Sequence, residues 1–261
     1  MFFTIIMPTH DRPLLIKRTL ESLIAQTCQD FNVIIVSDSA TYLPPYQELT
    51  RLDGRFDYVI RRSGTMGPAH SRDLGLLMAD GEYIMYLDDD DTFQPTHLAS
   101  LKARLELDRP EILFTDFQIQ NEDRTANPPQ ALSMMNFSTA AATYDSIFVR
   151  NTIPNNCLAF RRDVLQGVRN EPGLVIYEDW DFLLAAIKGR SLAHLAVNTV
   201  IIHKCQATAP ENLRRGNTRE DAVVDVMLQL YKRHPAPNME TRLARQALLA
   251  NAGLNLDLAY F

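Results

Sequence analysis

Cysteine is scarce in this chain, and its spacing suggests no pairing. Cys28, Cys157 and Cys205 are odd in number, far apart and free of any Cys-x-x-Cys spacing. That argues against a disulfide framework and against a zinc site, and it suits a reducing compartment. A basic excess is missing too. Against 32 Asp and Glu stand 26 Lys and Arg, a formal net charge of -6, so there is no overall electrostatic footprint for nucleic acid. An acidic protein that holds an anionic substrate would need local help, such as a cation. No stretch approaches the roughly 18 apolar residues of a membrane span. The N-terminus, MFFTIIMPTHDRP, has no basic leader and only a short apolar run before Pro8, unlike a signal peptide. Internal repeats and low-complexity tracts are also absent.

What is present is alternation. With 261 residues, 46% of them hydrophobic and 22% charged, the chain can build one large domain, or one domain with a small appendage. Residues 2–7 read as a strand and 11–27 as a helix, with Asp11 a candidate N-cap and Ile16, Leu20, Leu23 and Ile24 on one face. Residues 31–38 are β-branched and apolar throughout, as a strand covered on both faces should be. Strands are predicted again at 56–61, 82–87 and 111–119, and helices at 67–80 and 95–107. This is the spacing of βαβ units and a parallel sheet. Residues 121–146 read as a long loop, 155–165 as a strand and short helix, 177–190 as a helix led by acids, and 193–204 as a strand ending near His203. The remainder is a charged loop and two amphipathic helices, giving an expected division into a catalytic domain, 1–205, and a helical extension, 206–261.

Ligands of open α/β sheets bind beyond the carboxyl ends of the strands. Thr9, His10 and Asp11 follow the first strand there, Asp38 the second, and a run of four carboxylates, Asp88, Asp89, Asp90 and Asp91, the fourth. Like charges so close raise one another's pKa values. A fold keeps them because water screens them or because a cation neutralises them. A carboxylate cluster at a sheet edge suits Mg²⁺ or Mn²⁺, which keep open positions for water and phosphate oxygens. The alternative is a solvated acidic loop.

Four ordered motifs bear on that choice: IIMPTHDRPLLIKRTLESLIAQT, FNVIIVSDSA, GPAHSRDLGLLMADGEYIMYLDDDD and YEDWDFLL. Together, over roughly residues 1–205, they resemble the inverting family 2 glycosyltransferases of GT-A fold. The resemblance implies an α/β, Rossmann-like, mostly parallel central sheet flanked by helices, with the C-terminal helices as an extension. It implies transfer of a sugar from a nucleotide diphosphate, UDP foremost, to a glycan or glycolipid acceptor, with Mn²⁺ or Mg²⁺ as cofactor. Pro8 and Thr9 match the nucleotide-contacting loop, Asp38 the base contact, and Arg72 a segment near the donor. Asp88 and Asp90 match the DxD motif, with Asp88 toward ribose and metal, Asp89 beside the donor and Asp90 the direct metal ligand. Asp179 matches the general base with Glu178 beside it, and His203 a further metal or diphosphate contact. Ser37, Asp73 and Ser39-Ala40 depart from the family's usual residues at their positions.

Each assignment has a plainer alternative. His10 and Asp11 read as capping residues. Glu178 and Asp179 could serve the helix dipole, Arg72 could pair with Asp73 or Asp80, and Trp180 and Asp181 could face the acceptor or the core. Residues 121–155 and the C-terminal region are the expected seat of acceptor specificity, and RRGNTR, 214–219, is a candidate for anionic contact. The expected setting is cytoplasmic, with a peripheral position at the inner membrane face and a homo-oligomer both compatible. Two rivals remain. A nucleotidyltransferase would need a glycine-rich loop after the first strand, and PTHDRP has no glycine. A non-catalytic nucleotide-sugar-binding module would not need both carboxylate motifs.

Overall fold

β1 (Phe3–Thr9) and β2 (Phe31–Ser37) are buried at nearly every position, which is why neither shows the in–out alternation of a half-exposed strand. In the computed structural model, which describes residues 1–39, 43–64, 66–205 and 222–261, they sit inside a nine-stranded sheet. β3 (Phe56–Ile60), β2, β1 and β4 (Tyr83–Tyr86) run parallel in that spatial order. Beyond β4 the sheet turns mixed. β8 (Leu158–Arg161) is antiparallel to both its neighbours, β4 and β6 (Ile112–Asp123). β6 pairs in parallel with β9 (Leu192–Cys205), and β5 (Thr92–Phe93) closes that edge antiparallel to β9. The parallel character read from the sequence therefore belongs to the first half.

The helices bury the faces their periodicity indicates. α1 (Pro13–Ile24) buries Leu15, Ile16, Thr19, Leu20 and Leu23. α4 (His97–Asp108) buries Leu98, Leu101 and Leu105. α3 (Pro68–Met78) lies against β1 through Gly75, where an added Cβ would collide with the Ile6 side chain. That close approach brings Arg72, three residues earlier, beneath the carboxyl ends of β1 and β4. Asp11 is not the cap of α1. It adopts φ 46° and accepts a hydrogen bond from Ser39 Oγ, while the helix begins at Pro13 without a side-chain cap.

The expected loop 121–146 is largely ordered. β6 continues to Asp123 and returns as β7 (Gln130–Phe137), antiparallel to it, with Phe117 stacked on Phe137 at 5.2 Å. β7 is exposed along its whole length, so it carries no burial pattern from which a strand could have been read. Two short helices also went unforeseen, α2 (Tyr46–Arg51) and α5 (Tyr144–Val149), the latter opened by a Thr143–Ser146 capping box. α6 (Glu178–Ile187) is followed, past β9, by α7 (Val223–Arg233) and α8 (Met239–Asn251). These last two close over α5. Tyr231 donates to the Val149 carbonyl at 2.7 Å, and Arg245 to the Phe148 carbonyl at 2.8 Å. The RRGNTR stretch and the rest of 206–221 lie outside the described residues, as does Ala40.

Candidate active site

The carboxyl ends of β1, β2 and β4, the start of α3 and the start of α6 enclose a cavity of about 890 Å³. Nine residues singled out from sequence line it: Pro8, Thr9, Asp38, Arg72, Asp88, Asp89, Asp90, Glu178 and Asp179. The tenth, His203, does not.

Strand register explains the convergence. Thr9 pairs with Ser37, and Ile6 with Tyr86, so the segments beyond β1, β2 and β4 emerge side by side. At one end Asp38 accepts hydrogen bonds from Gly67 N at 2.8 Å and Arg61 at 3.2 Å, and His10 Nδ1 lies 2.6 Å from its other oxygen. Three partners fix that carboxylate as one wall of the cavity.

The four aspartates are held by different partners. Asp89 accepts from Thr9 Oγ1 at 2.7 Å and from Arg12 at 3.1 Å. Burial, with Asp90 and Asp88 adding like charge against the pull of Arg12 and Thr9, still holds its pKa up, to about 7. Asp90 pairs with Arg124 at 3.1 Å and stands 3.7 Å from Arg12. Asp91 turns away from the cavity, accepting from His203 N at 2.8 Å and from the Asn156 amide. Asp88 keeps about a quarter of its side chain exposed, 24%.

Arg72 joins the two walls. It donates to Asp88 at 3.0 Å and to Glu178 at 2.8 Å. Burial alone would lower its pKa, but Asp88, Glu178 and Asp179 outweigh burial and raise it. Its pairing with Asp73 or Asp80 does not occur; Asp73 instead accepts from Asn170 at 2.9 and 2.7 Å. On the far wall Tyr177 adopts φ 61°, a left-handed conformation that a bulky residue rarely takes. That turn starts α6 with Glu178 and Asp179 facing the cavity. Burial and the like charges of Glu178 and Asp88 raise the Asp179 pKa to about 6, against the opposing pull of Arg72. A carboxylate so tuned takes and gives a proton near neutrality.

Several candidates serve the fold instead. His203 has both ring nitrogens engaged, Nε2 with Thr92 Oγ1 at 2.9 Å and Nδ1 with Glu122 at 3.1 Å. Those contacts hold it behind the cavity rather than on it. Trp180 is core, its indole donating to the Ile147 carbonyl at 2.9 Å. Asp181 is buried against Arg233 at 2.9 Å and His234 at 2.7 Å. The apolar wall comes from Leu174, Val175 and Ile176, and no residue of 121–155 lines the cavity.

Sequence reasoning passed over Arg12, Arg61 and Tyr177. Arg61 follows the end of β3 and could have been found by the rule that located Asp38. Nothing in the sequence announces a left-handed Tyr177.

Among the described residues no three or more His, Cys, Asp or Glu side chains are grouped to enclose a metal. Mg²⁺ and Mn²⁺ do not require that, since one or two carboxylates suffice when phosphate and water supply the rest. Asp88 and Asp90 both line the cavity, and their carboxylate oxygens are the hard donors that such ions take. The donor set fits a divalent cation.

The model of one family, described as glycosyl transferase family 2, matches residues 4–168. An uncharacterised glycosyltransferase of Haemophilus influenzae is 25% identical over 237 residues, 87% of this chain and 76% of the relative. The GalNAc(5)-diNAcBac-PP-undecaprenol beta-1,3-glucosyltransferase of Campylobacter jejuni is 29% identical over 103 residues, 39% of this chain and 33% of its own length. Among solved structures, S. aureus TarS 1–349 in complex with UDP-GlcNAc aligns with a TM-score of 0.69 at 17% identity, covering 95% of this chain and 72% of that 1–349 chain. That likeness shows the GT-A fold.

Proposed function

Because the chain belongs to glycosyl transferase family 2, we propose that this glycosyltransferase moves a sugar, with inversion, from a UDP-linked donor to a hydroxyl of a glycan or glycolipid acceptor. One observation carries the reading. Arg72 ties Asp88 on the donor wall to Glu178 at the start of α6, so Asp179, with its raised pKa, shares one cavity with the aspartates.

Asp38, beside the loop of Pro8 and Thr9, takes the nucleobase; a carboxylate acceptor suits the imide N–H of uracil. Asp88 and Asp90 would hold Mn²⁺ or Mg²⁺, which supplies Lewis-acid stabilisation of the departing diphosphate. Asp179 accepts the proton of the acceptor hydroxyl as the new bond forms at the anomeric carbon. Attack from the face opposite the leaving group inverts that centre, and no covalent nucleophile is required. Arg72 keeps Glu178 and Asp88 from repelling one another. The apolar wall, Leu174 to Ile176, excludes water from the reacting centre.

The fold shared with TarS, which was solved with UDP-GlcNAc, supports the donor class. The Campylobacter relative, named for a lipid-linked glycan acceptor, supports a role in polysaccharide or glycolipid synthesis at a membrane surface. No helix among the described residues is long and apolar enough to cross a membrane.

Calorimetric titration of UDP, with and without Mn²⁺, tests the donor site. Wild type should bind in a manganese-dependent way, and Asp88→Asn should weaken that binding by about tenfold or more, the loss of one charge-assisted contact. Binding indifferent to both metal and substitution would remove Asp88 from the donor site.

A further inference from the structure

A second concavity, of about 780 Å³, opens at the opposite edge of the sheet. α3 spans the two. It begins at the donor cavity and reaches this groove at Leu76 and Leu77, about 13 Å from its first residue at 1.5 Å per residue. In a chain of net charge -6 the groove is locally basic, lined by Arg109, Arg161, Arg162 and Arg169 against the carboxylates of Glu82 and Asp163.

Those carboxylates are already taken. Arg109 pairs with Glu82, and Arg161 with Asp163 at 2.7 Å. Arg162 and Arg169 make no ion pair among the described residues, and both are exposed. An exposed apolar side chain lines the same groove. Leu77, on the groove wall, is 69% exposed. Isolated exposed leucines are ordinary. Leu77 in one groove with two guanidinium groups that make no ion pair among the described residues forms a surface whose charge and apolarity both complement an anionic bilayer interface.

We propose that this groove docks the protein on an anionic membrane, with Arg162 and Arg169 at the phosphate level and Leu77 reaching into the interface. The inference names a surface for peripheral contact and does not depend on the donor or on the chemistry of transfer. Docked this way, the donor cavity faces away from the bilayer. The acceptor hydroxyl must then be carried out to it on a glycan already extended from its anchor.

Flotation of the full chain with vesicles tests the assignment. Vesicles of phosphatidylcholine with about one third phosphatidylglycerol should carry the protein, pure phosphatidylcholine should not, and high salt should release it. The double reversal Arg162→Glu/Arg169→Glu should lower partitioning by about tenfold or more, and Leu77→Asp should lower it as well. The charge-matched control Arg51→Glu/Lys232→Glu, on α2 and α7, should not. Thermal melting by circular dichroism establishes that each variant is folded. Failure to bind anionic vesicles overturns the proposal, as does equal loss in the control pair. Saturable binding of inorganic phosphate at Arg162 and Arg169 without vesicle binding would assign a soluble anion and overturn it too.

Discussion

Two groups of carboxylates, joined where Arg124 pairs with both Asp90 and Glu122, behave in opposite ways. In front, on the cavity, Asp89 and Asp179 have pKa values raised to about 7 and about 6. Behind it, Glu122 is sealed from solvent yet lowered to about 2. Burial pushes all three upward. The difference lies in what opposes it. Glu122 accepts from Arg18 at 2.7 Å, from Arg124 at 2.6 Å and lies 3.1 Å from His203, with no carboxylate bonded beside it. Asp89 and Asp179 each share their cations with neighbouring acids. A carboxylate that is matched stabilises the fold; one that is left short of positive charge is poised for a proton or a cation. The site and its scaffold are made of the same residue types, sorted by whether charge is balanced.

The largest expected effect strikes the front group. Asp179→Asn should lower kcat by about a hundred- to ten-thousandfold, the range of general base catalysis, while leaving UDP affinity in place. In wild type, kcat/KM should fall as pH drops through about 6, where Asp179 gains its proton. The same substitution should stabilise the protein. A carboxyl whose folded pKa is raised from 3.8 to about 6 costs stability above that range, up to about 3 kcal/mol. The cost is relieved as pH falls toward 4. Urea unfolding of the variant should therefore show a gain at pH 8 that disappears near pH 4; an equal gain at both would refute the origin given for the raised pKa.

Breaking the rear group should do the reverse. Arg124→Ala leaves Asp90 and Glu122 buried without their shared guanidinium, and removal of one partner from a buried pair costs about 3–5 kcal/mol. A shift in the urea midpoint worth less than about 1 kcal/mol, the level of an exposed pair, would erase the distinction between the groups.

The smallest effect is the sharpest discriminator. His203→Gln removes hydrogen bonds to Thr92 and Glu122, worth about 1 kcal/mol, and should leave manganese-dependent UDP binding at its wild-type value. A large loss of metal-dependent affinity would return His203 to the donor site.

Much of the front group was legible. Strands whose both faces are buried are written as continuous apolar runs, and polar residues placed just beyond their ends mark the ligand edge. That logic located Thr9, Asp38 and the aspartate run without any contact being known. The rear group was not legible, because its members are far apart in sequence. Arg18 and Glu122 are 104 positions apart, His203 and Asp91 112. His203, matched by the resemblance to a metal or diphosphate contact, has its ring nitrogens on Thr92 and Glu122, partners too distant in sequence to be foreseen. β7 escaped for a different reason: an exposed strand has no face to bury and hence no periodicity to read.

By itself the sequence determined the alternation of strands and helices, the parallel half of the sheet, and which side chains end up on its ligand edge. Backbone propensity and the burial of apolar faces act locally, and both are written in short windows of residues. Only the tertiary structure decided which carboxylates are balanced and which are left poised, since that depends on guanidinium groups delivered from distant helices and a hairpin. It also decided that Arg72 bridges Asp88 and Glu178 and that Tyr177 turns Asp179 into the cavity. Coulombic interactions depend on distance in space, and spacing along the chain carries no record of it.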